Sequence, residues 1–355
     1  MFVIGGHIGW HVKRFAAMLA GAGAALVAME GVLRCFETPV GPPLPNIAAD
    51  RIDLPVITRR QLEEGVAESH FSSAGARLTG RAPIPGAPTV VVVGDSYVVG
   101  REVSDSETIG GWLEGVARAG GTPLNVRQYG WRGASPSRYL LVAPQVLATW
   151  APTRVVIPLS SDDIDATALL GAPLQLRVDS EGVAFPLDTA PVSVRAHPPS
   201  FALSTLVRER VARLRVLPHR WRRWTAEAAP ALPAALDSGA MARQLAALPL
   251  GVVRALARAY GTRLTLVYVA NVPVVGGDST SSLEAKMLSA CREAHVVCLS
   301  TRDSMLAARR RGVIVRGFGT TEIGRGHLNS DGSRLVGAMI WQSLRSALGT
   351  PRNSE

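Results

Sequence analysis

The chain has 355 residues, 47% of them hydrophobic, enough for one α/β core of roughly 250 residues with appendages and too apolar for a disordered or fibrous protein. Its net charge of +10 rests on arginine, with Lys13 and Lys286 the only lysines, and no aromatic residues interleave with the arginines at the spacing base stacking needs, so nucleic acid is not the expected partner. Cys35, Cys291 and Cys298 are too few for a disulfide framework or a tetrahedral zinc site; Cys291 and Cys298 can pair in an oxidising compartment, but separate buried thiols are the expectation.

Residues 15–33, FAAMLAGAGAALVAMEGVL, form the first expected element. As a helix this run measures about 28 Å, close to a bilayer core. Lys13 and Arg14 precede it, whereas Arg34 and Arg51 are the only cationic residues that follow within reach. The positive-inside rule therefore puts the N-terminus in the cytoplasm and the remainder beyond the membrane. Glu30 falls near the outer end, where a carboxylate reaches the headgroups. A retained signal anchor and a cleaved signal peptide both stay open; the length of the run favours the anchor, and either exports the rest. A buried amphipathic helix is disfavoured because the run has no polar face.

The expected organisation is a cytoplasmic stub and transmembrane anchor over 1–35, a proline-rich linker and lead-in over 36–88, and a domain over 89–350. Within that domain, Thr89–Val93, Leu124–Gln128, Arg154–Leu159, Arg263–Ala270 and His295–Leu299 read as buried parallel strands. Helical patterns lie near 106–119, 136–149, 240–260, 280–293 and 332–348. This alternation predicts a three-layer α/β/α, doubly wound, flavodoxin-like parallel sheet with its site at the carboxyl ends of the strands. An insertion at about 165–235 interrupts it. A hairpin is expected around Ser180, Glu181 and Gly182, then an arginine-rich helical stretch over 204–224 broken at Pro218. A solvated face is the expectation for those arginines, with anionic lipid headgroups as the alternative.

The strand TVVVV runs directly into Gly94-Asp95-Ser96-Tyr97-Val98-Val99-Gly100. A serine at the carboxyl end of a strand, entering a helix, has its hydroxyl exposed, and Asp95 can orient the turn through local N–H groups. Serine needs a base to become nucleophilic. His7 and His11 precede the apolar run, His70 lies in the lead-in, His197 and His219 in the insertion, and His295 at the start of a strand. His327 sits in the glycine-rich GFGTTEIGRGHLNSDG, after the last strand and before the last helix, which predicts the same sheet end as Ser96. No metal-ligand spacing occurs among the histidines and carboxylates, and no cofactor is expected.

These residues carry a resemblance. GDSYVVG resembles the first block of the SGNH (GDSL-type) hydrolase superfamily, and His327-Leu328-Asn329 with Gly332 resembles its closing block. Gly130 matches the glycine that joins the oxyanion hole, and Ser160-Ser161-Asp162-Asp163-Ile164 stands where the family has Gly-x-Asn-Asp. The resemblance spans roughly residues 70–345. It implies an ester hydrolase with Ser96 as nucleophile, His327 as base, and Ser96, Gly130 and Asp162 around the oxyanion. Asp163, Asp95, Asn329 and Glu322 are possible supporting groups.

Two positions depart from the family. An ionised Asp162 would repel an oxyanion that the family's asparagine stabilises, and the acid usually found two or three residues before the histidine is replaced by Gly324 and Arg325. Resemblance to anchored bacterial members implies a periplasm-facing domain acting on an acylated glycan, lipid or small molecule. Water as acceptor makes an esterase and a sugar hydroxyl makes an O-acyltransferase; loss of catalysis would leave a polysaccharide-binding or assembly module.

Overall fold

A computed structural model describes residues 14, 16–29, 57–61, 64–65, 67–72, 75–164, 176–178, 184–186, 238–274, 281–318, 321 and 324–348. The chain divides into two compact units, Met1–Gly41 with Arg195–Ala234, and Pro42–Val194 with Ala235–Glu355. In the first unit the described residues include helix α1 over 16–29, on which Met18, Leu19, Leu26, Val27 and Met29 are exposed. Among the described residues no helix is long and apolar enough to cross a membrane, and the expected span over 15–33 lies only partly within them. The arginine-rich stretch over 204–224 lies outside them altogether.

The second unit is built on five parallel strands, β3 (Thr89–Gly94), β4 (Asn125–Gly130), β5 (Arg154–Leu159), β8 (Leu264–Tyr268) and β9 (Val297–Ser300), in the order β4-β3-β5-β8-β9. In order of appearance this is 2-1-3-4-5, the flavodoxin-like doubly wound arrangement. Val90–Val93, Val155–Ile157 and Leu266–Val267 are completely buried, because a parallel sheet covered on both faces takes β-branched residues without alternation. The β9 edge is half-exposed.

Helices α3 (Ile109–Ala119) and α8 (Ser330–Leu348) pack together, with α7 (Arg302–Arg310) against α8. Helices α4 (Pro136–Trp150), α5 (Ser238–Tyr260) and α6 (Ser282–Glu293) pack in series as a second group. Right-handed crossovers place the two groups on opposite faces of the sheet. Local chemistry starts the helices where the sequence suggests. Thr108 and Ser281 accept the Gly111 and Glu284 N–H groups at 3.0 and 3.1 Å, and Pro136 supplies the first helical residue of α4.

Several features were not anticipated. The lead-in forms an antiparallel hairpin, β1 (Ile57–Gln61) with β2 (Ala67–Phe71), and Arg77 then bridges to Gln128 on the open edge of β4. Helix α7 falls in a stretch left unassigned by pattern. Cys291 and Cys298, expected as separate thiols, form a disulfide between α6 and β9 with a Cα separation of 6.1 Å. The insertion hairpin, by contrast, was expected, and β6 (Leu176–Val178) pairs antiparallel with β7 (Ala184–Pro186).

Candidate active site

Strands β3 and β5 flank the point where the strand order reverses, and the segments leaving their carboxyl ends converge there. Helix α2 (Ser96–Val99) follows β3 directly. Asp95 caps it: its Oδ1 accepts the Tyr97 N–H at 2.9 Å, and its carbonyl accepts those of Val98 and Val99 at 3.2 and 3.1 Å. Asp95 thus shapes the turn that presents Ser96, the first helical residue. At Gly94 a Cβ would meet Val98 Cγ2 at 2.5 Å, and Gly100 closes the helix at φ +52°, so both glycines of the GDSxxxG pattern are steric necessities.

Gly130, at the end of β4, lies so close to α2 that a Cβ would meet the Val99 nitrogen at 2.4 Å. The carbonyl of Gln128 faces outward to the Arg77 N–H, while the Trp131 N–H faces inward to Gly94 O. By the period of two, the Gly130 N–H turns outward and stays free of the β3 ladder.

His327 is held by backbone and carboxylates together. Arg316 and Leu328 form an antiparallel bridge, and the Gly317 N–H donates to the His327 carbonyl at 3.0 Å. Glu64, in the connection between β1 and β2, presents Oε2 to both the backbone N–H of His327 at 3.0 Å and its Nδ1 at 2.7 Å. Facing a carboxylate, Nδ1 carries the ring proton and Nε2 is left as the acceptor. The approach needs Gly326, where φ is +86° and a Cβ would stand 2.9 Å from Glu64 Oε2. Gly65 is needed likewise, since a Cβ would lie 2.6 Å from the Glu102 carbonyl. Glu102 Oε1 lies 3.6 Å from the same Nδ1, with its side chain 4% exposed.

Tyr97, the residue after Ser96, meets the imidazole edge-to-face with ring centroids 5.7 Å apart. This contact brings the GDS turn and the glycine-rich loop onto one rim of the sheet. Among the described residues, no hydrogen bond joins Ser96 Oγ to His327. The buried Arg316 links the two loops: Nη1 donates to Tyr97 OH and, at 3.3 Å, to the Gly326 carbonyl, while Nη2 donates to the Ala270 carbonyl at 3.1 Å. Its guanidinium lies 5.0 Å above the Tyr97 ring.

The remaining expected residues divide into braces and residues beyond description. Asp163 is buried and accepts from the Ser160 N–H and Oγ at 2.8 and 3.1 Å and from Tyr139 OH at 2.9 Å. Burial, with Asp163 beside it, holds the Tyr139 phenol well above its ordinary value, so the phenol remains a donor. Asn329 caps α8, accepting the Gly332 N–H at 3.0 Å and donating to the Ile314 carbonyl at 2.8 Å. It therefore orients the histidine loop and does not enter the site. The Asp162 side chain and Glu322 lie outside the described residues. Sequence reasoning missed Glu64, Glu102, Tyr97 and Arg316. Tyr97 stood inside the motif; Glu64 is 263 residues from its histidine, and no spacing signals such a pair.

No family model matches the chain, and no curated protein does. Among solved structures the chain is similar to a lipase/acylhydrolase from Enterococcus faecalis, at 12% identity and a TM-score of 0.41 over 75% of this chain and 100% of that one. It is also similar to the psychrotrophic esterase EstA from Pseudoalteromonas sp., at 10% identity and 0.39 over 74% and 99%. A catalytic mutant of an acetylxylan esterase from Geobacillus stearothermophilus aligns at 9% and 0.38 over 76% and 97%. Identities this low carry no residue role across.

Proposed function

We propose that this protein is an SGNH-type serine ester hydrolase in which Ser96 is the nucleophile, His327 the general base and Glu64 the acid that orients it. The observation that carries the reading is the Glu64–His327 pair, 2.7 Å apart at Nδ1, with the residue after Ser96 packed on the same imidazole. A carboxylate on Nδ1 fixes the tautomer in which Nε2 accepts a proton, the role of the third member of a catalytic triad. It takes the place of the acid that is missing from Gly324 and Arg325.

Nε2 of His327 removes the Ser96 proton as Oγ attacks the ester carbonyl, and the N–H groups of Ser96 and Gly130 stabilise the oxyanion. Collapse expels the alcohol, which takes the proton back from Nε2 and leaves an acyl-serine. Water, deprotonated by the same imidazole, then releases the acid. The Ser96–His327 hydrogen bond closes on substrate binding, as such bonds do when they are loose in the free enzyme. The substrate class proposed with it is an acylated envelope glycan or lipid, a reading supported by the resemblance to anchored members and by the apolar run over 15–33.

Incubation with a fluorophosphonate tests the reading. Wild type should be labelled at one site and Ser96→Ala not at all. Labelling of neither protein, with sugar-polymer binding retained, would replace the esterase by a binding module. Release of acid from p-nitrophenyl esters, with and without a sugar acceptor, separates hydrolysis from acyl transfer.

A further inference from the structure

Glu102 is a buried carboxylate whose one basic side-chain nitrogen neighbour within 4 Å among the described residues is His327 Nδ1, already bonded to Glu64. Its side chain is 4% exposed, and among the described residues it accepts no hydrogen bond. Arg77 feels its field but gives its own Nη2 to the Val103 carbonyl and Asp105. A carboxylate removed from water without donors is costly, and a second carboxylate beside it adds repulsion. The oxygens of Glu64 and Glu102 and Nδ1 of His327 all lie within 4.8 Å of one another. Tetrahedral zinc, with bonds near 2.1 Å, separates its ligand atoms by about 3.4 Å; the 2.7 and 3.6 Å separations here bracket that value.

A cavity with acidic walls adjoins one of the three groups. Glu102 lines a cavity of about 490 Å³ together with Glu68, Glu107 and Asp331, and walls of one sign concentrate counter-ions.

From this geometry we propose that Glu64, Glu102 and His327 form a divalent-cation site, and that its occupation switches the Ser96 chemistry off. One imidazole nitrogen with two carboxylates, leaving a fourth position to water, suits Zn²⁺ better than the oxygen-seeking Mg²⁺ or Ca²⁺. The switch rests on the esterase reading above and follows from proton accounting. A neutral imidazole holds one proton; when Nδ1 gives its lone pair to zinc, that proton resides on Nε2. The nitrogen facing the serine is then a donor and cannot take the Oγ proton. The ion also takes Glu64 away from its orienting bond. The site is therefore inhibitory, and removal of zinc restores the base.

The test uses the full chain stripped with a chelator and titrated with ZnCl₂ by calorimetry, beside Glu102→Gln, Glu64→Gln and His70→Gln, each checked for folding by its thermal transition. Wild type and His70→Gln should bind one zinc per chain, and the two glutamine-for-glutamate variants at least about tenfold more weakly. One equivalent should slow fluorophosphonate labelling of Ser96 at least about tenfold, reversed by chelator. No stoichiometric binding to wild type, or equal binding by Glu102→Gln, overturns the site. Loss of binding in His70→Gln instead assigns the ion to the Glu68–His70–Asp105 group and also overturns it. Zinc that binds without slowing the label overturns the switch. Absence of labelling from the zinc-free chain would overturn the esterase reading alone, and calorimetry would still decide the metal site.

Discussion

At the scale of single residues, the candidate site depends on two groups outside the GDS and HLN motifs. Glu64 touches His327 Nδ1 directly, so, if His327 is the base as proposed, Glu64→Gln should leave folding intact while destroying tautomer control, because an amide can present its NH₂ where the carboxylate presented an acceptor. The expected outcome is a fall in kcat of order 10²–10⁴ with KM little changed, read from steady-state hydrolysis of an activated ester. A KM effect alone would place Glu64 outside the chemistry. Arg316 works through others. It holds Tyr97, Gly326 and Ala270 with one planar fork, and a lysine keeps the charge but cannot reach three divergent acceptors. Arg316→Lys should therefore lower kcat about tenfold or more by loosening the spacing between nucleophile and base, and activity equal to wild type would remove Arg316 from the positioning role.

At the scale of elements, sequence periodicity read the interior well and the margins poorly. β3 and β5 carry the β-branched runs Thr89–Val93 and Val155–Ile157, buried beyond the first residue of each strand, and their expected bounds agree with the structure to a residue. β9 begins two residues after its expected start because His295 occupies a left-handed turn at φ +54°, which no apolar pattern records. The β1–β2 hairpin escaped notice because ITRRQ and AESHF are short, charged segments in which a serine and a single phenylalanine, Ser69 and Phe71, take the buried positions of β2, too little apolar alternation to mark a strand. Glu64 lies in the connection between β1 and β2, so the carboxylate that meets His327 was missed along with the element that delivers it. The 3₁₀ turn Asp105–Glu107 offers a further test. Burial alone would raise the Glu107 carboxyl, but hydrogen bonds from Ser104 and Ser330 outweigh it and hold the group below its ordinary 4.5. A carboxylate lowered on folding contributes stability that is whole above its unfolded value and drains away as pH falls through the folded one. The stability advantage of wild type over Glu107→Gln should thus shrink as pH drops below about 4.5, as measured by urea midpoints from pH 6 to pH 3. A constant gap would mean that the Ser330 contact does not tie this turn to α8.

At the scale of the whole molecule, the disulfide and the exposed apolar helix bear on where the chain operates. Cys291 and Cys298 close a loop of seven residues in sequence separation. On the chain-entropy account such a link contributes about 2–3 kcal/mol, so Cys298→Ser or reductant should lower the free energy of unfolding by that amount, read from the shift of the urea midpoint. Such a bridge is favoured where the surroundings are oxidising. α1 exposes Met18, Leu19, Leu26, Val27 and Met29 together, apolar area that water penalises and a lipid phase would accept. The two features make one joint prediction. In intact cells treated with a bulky maleimide before lysis, Cys291 and Cys298 should resist modification until reductant is added, and the full chain should sediment with membranes until detergent releases it. Modification of both thiols without reductant would mean that the bridge does not form in the cell. Release by high salt alone would mean that charge, rather than insertion of α1, holds the protein at the surface.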